Sequence, residues 1–177
     1  QGGAGADRVG QPGADVDEFI VPKRADTLDA ALRPFEHLPA LSLPWHNFGP
    51  SGHTARPTGL VIENYVERGA FPPPPDAISL LHYKSIVDPT KVRRAKTHHV
   101  ELIGEGETMY NDRGERFAYL DRTDPRHASS DAFQLNHYFT RSREEMRAKI
   151  AKGRVSKDGR ARNAGFLEEQ VRKLEKY

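Results

Sequence analysis

Proline and glycine, 13 and 15 residues of 177, cut the apolar parts of this chain into short pieces. Runs at 40–45, 59–66, 80–87, 117–120 and 133–139 are each bounded by turn-forming residues. Apolar or alternating runs of this length read as β-strands. None approaches the ~18 residues that a bilayer-spanning helix needs, so no membrane span is expected in this chain. Between and after these runs the pattern changes to a helical period. Asp26 or Thr27 can cap a helix over 27–37 whose apolar face is Leu28, Leu32 and Phe35, closing before Pro39. Past Phe139, Ser142 and Glu145 form a capping box, Met146 and Ile150 share one face, and Gly153 supplies a stop. An Arg-rich polar linker over 154–162 leads to Asn163 and a last helix. There Leu167, Val171 and Leu174 point inward, and Glu168/Arg172 and Glu169/Lys173 have ion-pair spacing. The prolines at 72–75 form a stiff surface spacer. The expected fold is α/β, a mixed sheet with flanking helices and a helical C-terminus.

Composition fixes which classes remain. Counting Gly and leaving out Tyr, about 41 % of the chain is apolar, below the ~45–50 % usual in soluble domains, so the core is thin. Eight Phe, six Tyr, one Trp and a net charge of only +2 still argue for folding over disorder. Without a single Cys there is no disulfide scaffold, thiolate metal site or cysteine nucleophile, and any metal must be held by His and carboxylates. The charge is uneven: residues 1–140 carry 15 basic and 19 acidic side chains, residues 141–177 carry 12 and 6. The basic end alternates with acids and lacks interleaved aromatics, so no nucleic-acid partner is expected. Gly and Pro in the first fourteen residues oppose regular structure there, and neither a signal core nor a transit pattern is present.

Few residues are placed for chemistry. Asp15 and Asp17 are two apart, so in extended backbone both carboxylates leave the same side and can share a hard divalent cation. Taken alone the triplet is more often a solvated turn. Of the eight histidines, no set has a zinc spacing, and the adjacent His98 and His99 point apart on a strand. Nucleophile-elbow, phosphate-loop and dinucleotide signatures are missing from any suitable context. The stretch 45–53, with Trp45, Phe48, Gly49 and His53, combines aromatics with small residues after a strand. Such a loop can stack a sugar ring, while core packing of Trp45 and Phe48 is an equally good reading.

In fixed order the chain carries DVDEFIVP at 15–22, WHNFG with SGH at 45–53, LVIENY at 60–65, KSIV-x-P at 84–89, His98, and LNHYF-x-RS-x-EE at 135–145. Together these resemble the C-terminal half of glycosyltransferases related to families 2 and 92, with a GT-A-type fold, over residues 15 to about 154. The resemblance implies transfer of a sugar from a nucleotide-sugar donor to a hydroxyl of a glycan or another acceptor, with a divalent metal, manganese or magnesium. It implies that Asp15 and Asp17 hold the metal and donor, with His98 as a third ligand. Trp45, Phe48, Gly49, Lys84, His137 and Arg141 would bind donor and acceptor, with Lys149 beside them. A single displacement also requires a general base, for which Glu63 is the first choice and His53 the second.

Relatives carry an upstream nucleotide-binding half and an apolar strand before the Asp-x-Asp motif, where this chain has Gln11, Pro12, Gly13 and Ala14. The expected organisation is an aberrant or disordered segment at 1–14, part of a glycosyltransferase domain at 15–154, and a linker with a helix at 155–177. A fragment lacking the donor half, placed in the cytoplasm or at a membrane periphery if bacterial, is the leading expectation. A non-catalytic carbohydrate-binding remnant is the alternative.

Overall fold

The computed structural model describes residues 16–96, 98–152 and 164–176. Residues 1–14, Asp15, Gly153, the 154–162 linker and Asn163 lie outside them. The chain forms two compact units, one running to Trp45 and taking in Leu81–Asn136, the other made of His46–Leu80 and the chain from His137 onward.

The first unit is built on a mixed sheet. Its strands are β1 (Glu18–Pro22), β2 (Ala40–Asn47), β3 (Tyr83–Val87), β6 (Thr108–Tyr110), β7 (Arg116–Ala118) and β8 (Phe133–His137), with β2 and β8 running on into the second unit. The order is β1-β8-β2-β6-β7, with β3 also paired to β2. The β2–β3 pair is antiparallel, Ala40 facing Val87 and Pro44 facing Tyr83. By contrast β2 and β6 are parallel at Leu41 and Tyr110, and β6–β7 is an antiparallel hairpin. A separate hairpin joins β4 (Val92–Ala95) to β5 (Val100–Leu102), with a register shift between Val92 and Arg94.

β2 owes its central place to the near-continuous apolar run from Ala40 to Pro44, all of it buried. A strand covered on both faces needs such a run, because each side must meet a core. Leu41 and Leu43 pack with Ala31, Ile86, Phe133 and Leu135 on one side. Ala40 packs with Tyr83, Val100, Leu102, Met109 and Phe117 in a second cluster.

The helix expected at 27–37 is shorter. Thr27 does cap it, accepting from the Ala30 amide at 3.2 Å, but α1 covers only Leu28–Leu32 and gives way to a 3-10 turn at Arg33–Phe35. Pro34 is the cause, since it has no amide to donate and its ring crowds the preceding turn. Leu28, expected inward, is 36 % exposed, and Ala31 provides the buried contact instead.

The second unit is mainly helical and loop. Phe48, Tyr65 and Tyr138 make its small core, with Val61 packed against them. The expected strand at 59–66 is not a strand: α2 is a single turn at Val61–Asn64. Asn64 decides this, because its Nδ2 donates to the carbonyls of Thr58 and Leu60 at 2.9 and 2.8 Å and curls the backbone. The alternation that suggested a strand leaves Leu60, Ile62 and Val66 exposed instead of packed on a sheet. α3 (Arg143–Lys152) starts at the expected capping box: Ser142 Oγ accepts from the Glu145 amide at 3.2 Å, and Glu145 Oε2 accepts from the Ser142 amide at 3.3 Å. α4 (Ala164–Lys176) carries the expected Glu169–Lys173 pair at 2.9 Å and buries Leu174. Gly69 lies under Leu174, where a Cβ would come within 3.2 Å of Cδ2. Among the described residues no helix is long and apolar enough to cross a membrane.

Candidate functional site

In the first unit, four stretches far apart in the sequence meet near Trp45. The Trp45 amide donates to the His82 carbonyl at 2.8 Å, which extends the β2–β3 ladder past Pro44 and Tyr83. The Trp45 ring then lies 5.2 Å from His82 and 5.4 Å, edge-on, from His98, and the two imidazoles are 5.3 Å apart. Ser85 on β3 holds the loop that carries His98, its Oγ donating to the His98 carbonyl at 3.2 Å. Lys84, next along β3, reaches Glu18 at the start of β1, Nζ to Oε1 3.7 Å. That pair is nearly closed to solvent, with 9 % of the Lys84 side chain and none of the Glu18 side chain exposed. A carboxylate buried to this degree is tolerable only beside a cation. Asp17, half-buried, immediately precedes it.

Asp17, Trp45, Lys84 and His98 are therefore all in this unit. Asp15 lies outside the described residues. Among the described residues no three His, Asp or Glu side chains converge where an ion could sit. His98 and His99 diverge as expected: the His98 ring faces Trp45, whereas His99 stacks on Tyr119 with centroids 3.5 Å apart. Burial holds the His99 pKa below its usual value against the opposing pull of Glu107.

The second unit contains Phe48, Gly49, His53, Glu63, His137 and Arg141. Phe48 is 8 % exposed and its ring stacks on Tyr138 with centroids 4.8 Å apart, so it packs a core and has no face free to stack a sugar. Gly49 donates its amide to the Glu67 carbonyl at 2.9 Å. His53 Nε2 is 3.1 Å from the Asn64 carbonyl. A carbonyl only accepts, so Nε2 is the donor in this contact. Glu63 is exposed on α2.

His137 is oriented by a chain of hydrogen bonds. Asn47 Nδ2 donates to the Leu80 carbonyl at 3.0 Å, which turns Oδ1 toward His137 Nδ1 at 2.9 Å and makes that nitrogen the donor. Arg141 has a positive φ of 52°, costly for a side chain of its size, and its guanidinium is 3.7 Å from Glu145. Glu145 is the hub here. It accepts from the Tyr65 hydroxyl at 2.7 Å and from Ser142 Oγ at 3.0 Å, with Arg56 at 3.8 Å. Burial alone would raise its pKa, but the Tyr65 and Ser142 donors and Arg141 outweigh it and keep the carboxyl below its usual range. Burial and the neighbouring Glu145 push the Tyr65 hydroxyl up. Lys149 donates to the Phe139 carbonyl at 3.1 Å and lies over that ring.

Glu18, His82 and the Tyr65–Glu145 pair are not singled out by the sequence. Glu18 directly follows the Asp-x-Asp triplet, and Tyr65 and Glu145 each belong to blocks that carry the resemblance, so a signal was present without its geometry. No family model, no curated protein and no solved structure matches the chain.

Proposed function

We propose that this chain takes part in glycosyl transfer, as a GT-A-type protein that uses a nucleotide-sugar donor and an acceptor hydroxyl. The observation that carries the reading is the meeting of Trp45, His82, Lys84, His98 and the acidic start of β1 at one end of the β2–β3 ladder. Trp45 offers an apolar ring beside imidazoles and a buried cation, which suits a pyranose whose C–H faces and hydroxyls need different partners. Departure of a nucleoside diphosphate builds negative charge, and a fixed cation such as Lys84 stabilises that charge without reorganising. Lys84 is held in place by Glu18, which also balances its charge when no donor is bound.

Manganese or magnesium at Asp15 and Asp17 belongs to this reading through the resemblance alone. The described residues do not complete a donor set around an ion. For the hydroxyl proton, Glu63 is the first candidate and His53 the second; Glu63 is exposed on α2, and His53 Nε2 is engaged by the Asn64 carbonyl.

The test is a thermal shift of this chain with manganese and a nucleoside diphosphate. Saturation at about 100 Kd should stabilise by ~2.7 kcal/mol, and Asp17→Ala should remove the shift. Absence of any shift in the parent protein counts against the proposal. Sugar binding that survives a chelator, without turnover, favours the non-catalytic carbohydrate-binding reading instead.

A further inference from the structure

The opposite end of β2, where the strand begins after Pro39, borders a cleft of about 310 Å³ inside the first unit. Pro39 and Trp45 are six residues apart, so the cleft is about 20 Å along the strand from the Trp45 cluster and cannot share a small ligand with it. Its volume is at the lower end for small-molecule sites, ~300–1,000 Å³. The walls are chemically divided. Leu38 and Ile103 are apolar, and Ile103 is 58 % exposed, a high value for a side chain beside a concavity. His37, Lys91, Glu105 and Tyr110 supply the polar part.

The charges in the cleft are unevenly matched. Glu105 is already engaged, accepting from the Tyr110 hydroxyl at 2.7 Å with Arg116 at 3.6 Å. That hydrogen bond, burial and the charge of Glu105 together push the Tyr110 hydroxyl up, so it remains a donor at neutral pH. Among the described residues no acid pairs with the Lys91 ammonium, and the His37 imidazole makes no hydrogen bond. Both line the same cleft. The backbone ties the polar and apolar walls together, the Ile103 amide donating to the Lys91 carbonyl at 2.9 Å. Lys91 is further set by the 3-10 turn at Pro89–Lys91, which Asp88 caps by accepting from the Thr90 amide at 2.9 Å.

We propose that this cleft is a binding site for a small amphipathic anion, a phosphate or carboxylate group on an apolar body, with Lys91 and His37 on the anion and Leu38 and Ile103 on the body. The site is separate from the proposed donor site and stands whether or not the chain transfers sugars. An anion alone lacks the apolar contact, and an uncharged aromatic leaves the Lys91 ammonium unmatched, so both halves are required.

The experiment is an amide NMR titration of the full chain with four probes: phenyl phosphate, benzoate, inorganic phosphate and benzyl alcohol. Phenyl phosphate or benzoate should give saturable shifts at Leu38, Lys91 and Ile103. Inorganic phosphate and benzyl alcohol should bind at least about tenfold more weakly. Which of the two organic anions binds more tightly assigns the headgroup. Lys91→Glu, at an exposed turn, should weaken binding by about tenfold or more, and Lys91→Arg should retain it. The proposal fails if neither organic anion gives saturable shifts at these residues, if inorganic phosphate binds as tightly as phenyl phosphate, or if Lys91→Glu leaves the affinity unchanged.

Discussion

Removing either member of the Glu18–Lys84 pair takes an opposite charge from beside a group that the first unit has closed off from water. Lys84→Met should therefore cost ~3–5 kcal/mol in urea denaturation, and adding Glu18→Leu should recover most of that loss. A loss no larger than ~1 kcal/mol would mean that water reaches the pair. In the second unit, Tyr65→Phe removes the 2.7 Å hydrogen bond to Glu145 from a half-buried carboxylate already committed to Ser142 and Arg141. The expected cost is ~1–3 kcal/mol, and a double-mutant cycle with Glu145→Ala should show strong coupling, because the two side chains share one hydrogen bond. The same substitution tests whether the positive φ of Arg141 depends on this network, through the shift of the Arg141 amide.

Ser142 and Thr27 both begin helices, but the helices behind them differ in length. Ser142→Ala should destabilise by about 1 kcal/mol, since α3 continues for ten residues behind a two-way capping box. Thr27→Ala should cost less, because Pro34 limits the first helix to five residues and little structure depends on its cap. The elements with strong local signals were legible in the sequence: the run at 40–45 became β2, the run at 133–139 became β8, and the capping box started α3. The strands β4, β5 and β6 were not, because they span only three or four residues and are charged or mixed, held by pairing with one another and with β2 and β7. At 59–66 the alternation was real and misleading, since one side-chain amide on Asn64 outweighed it. Trp45 and His98 could be named from sequence, but their contact could not: it depends on how β3 pairs with β2 and on one hydroxyl, Ser85, holding a loop.

Over the whole chain, stability should fall in acid in two stages. Burial holds His99 and His127 below the ordinary histidine value of 6.5. The unfolded chain therefore takes up these protons first, and each histidine lowers stability by at most ~1.4 kcal/mol per pH unit as pH drops below about 6.5. The second stage begins near the usual carboxylate range. Asp124, through Arg126, and Asp131, through Arg113, have depressed pKa values, so the stability they give above their unfolded values of 3.8 is lost as pH falls through the folded ones. Urea midpoints measured from pH 7 to pH 3 should show both stages, and His127→Phe should flatten the first. The strand order also has a consequence for synthesis. β1, the first strand described, borders β8, which ends 115 residues after β1 does, and only through β8 does it join β2. At ~5–20 residues per second on a ribosome, β1 waits about six seconds or longer for β8, the last of the described strands to be translated. Holding the nascent chain through that interval is a task for whatever binds extended, apolar polypeptide at the ribosome exit.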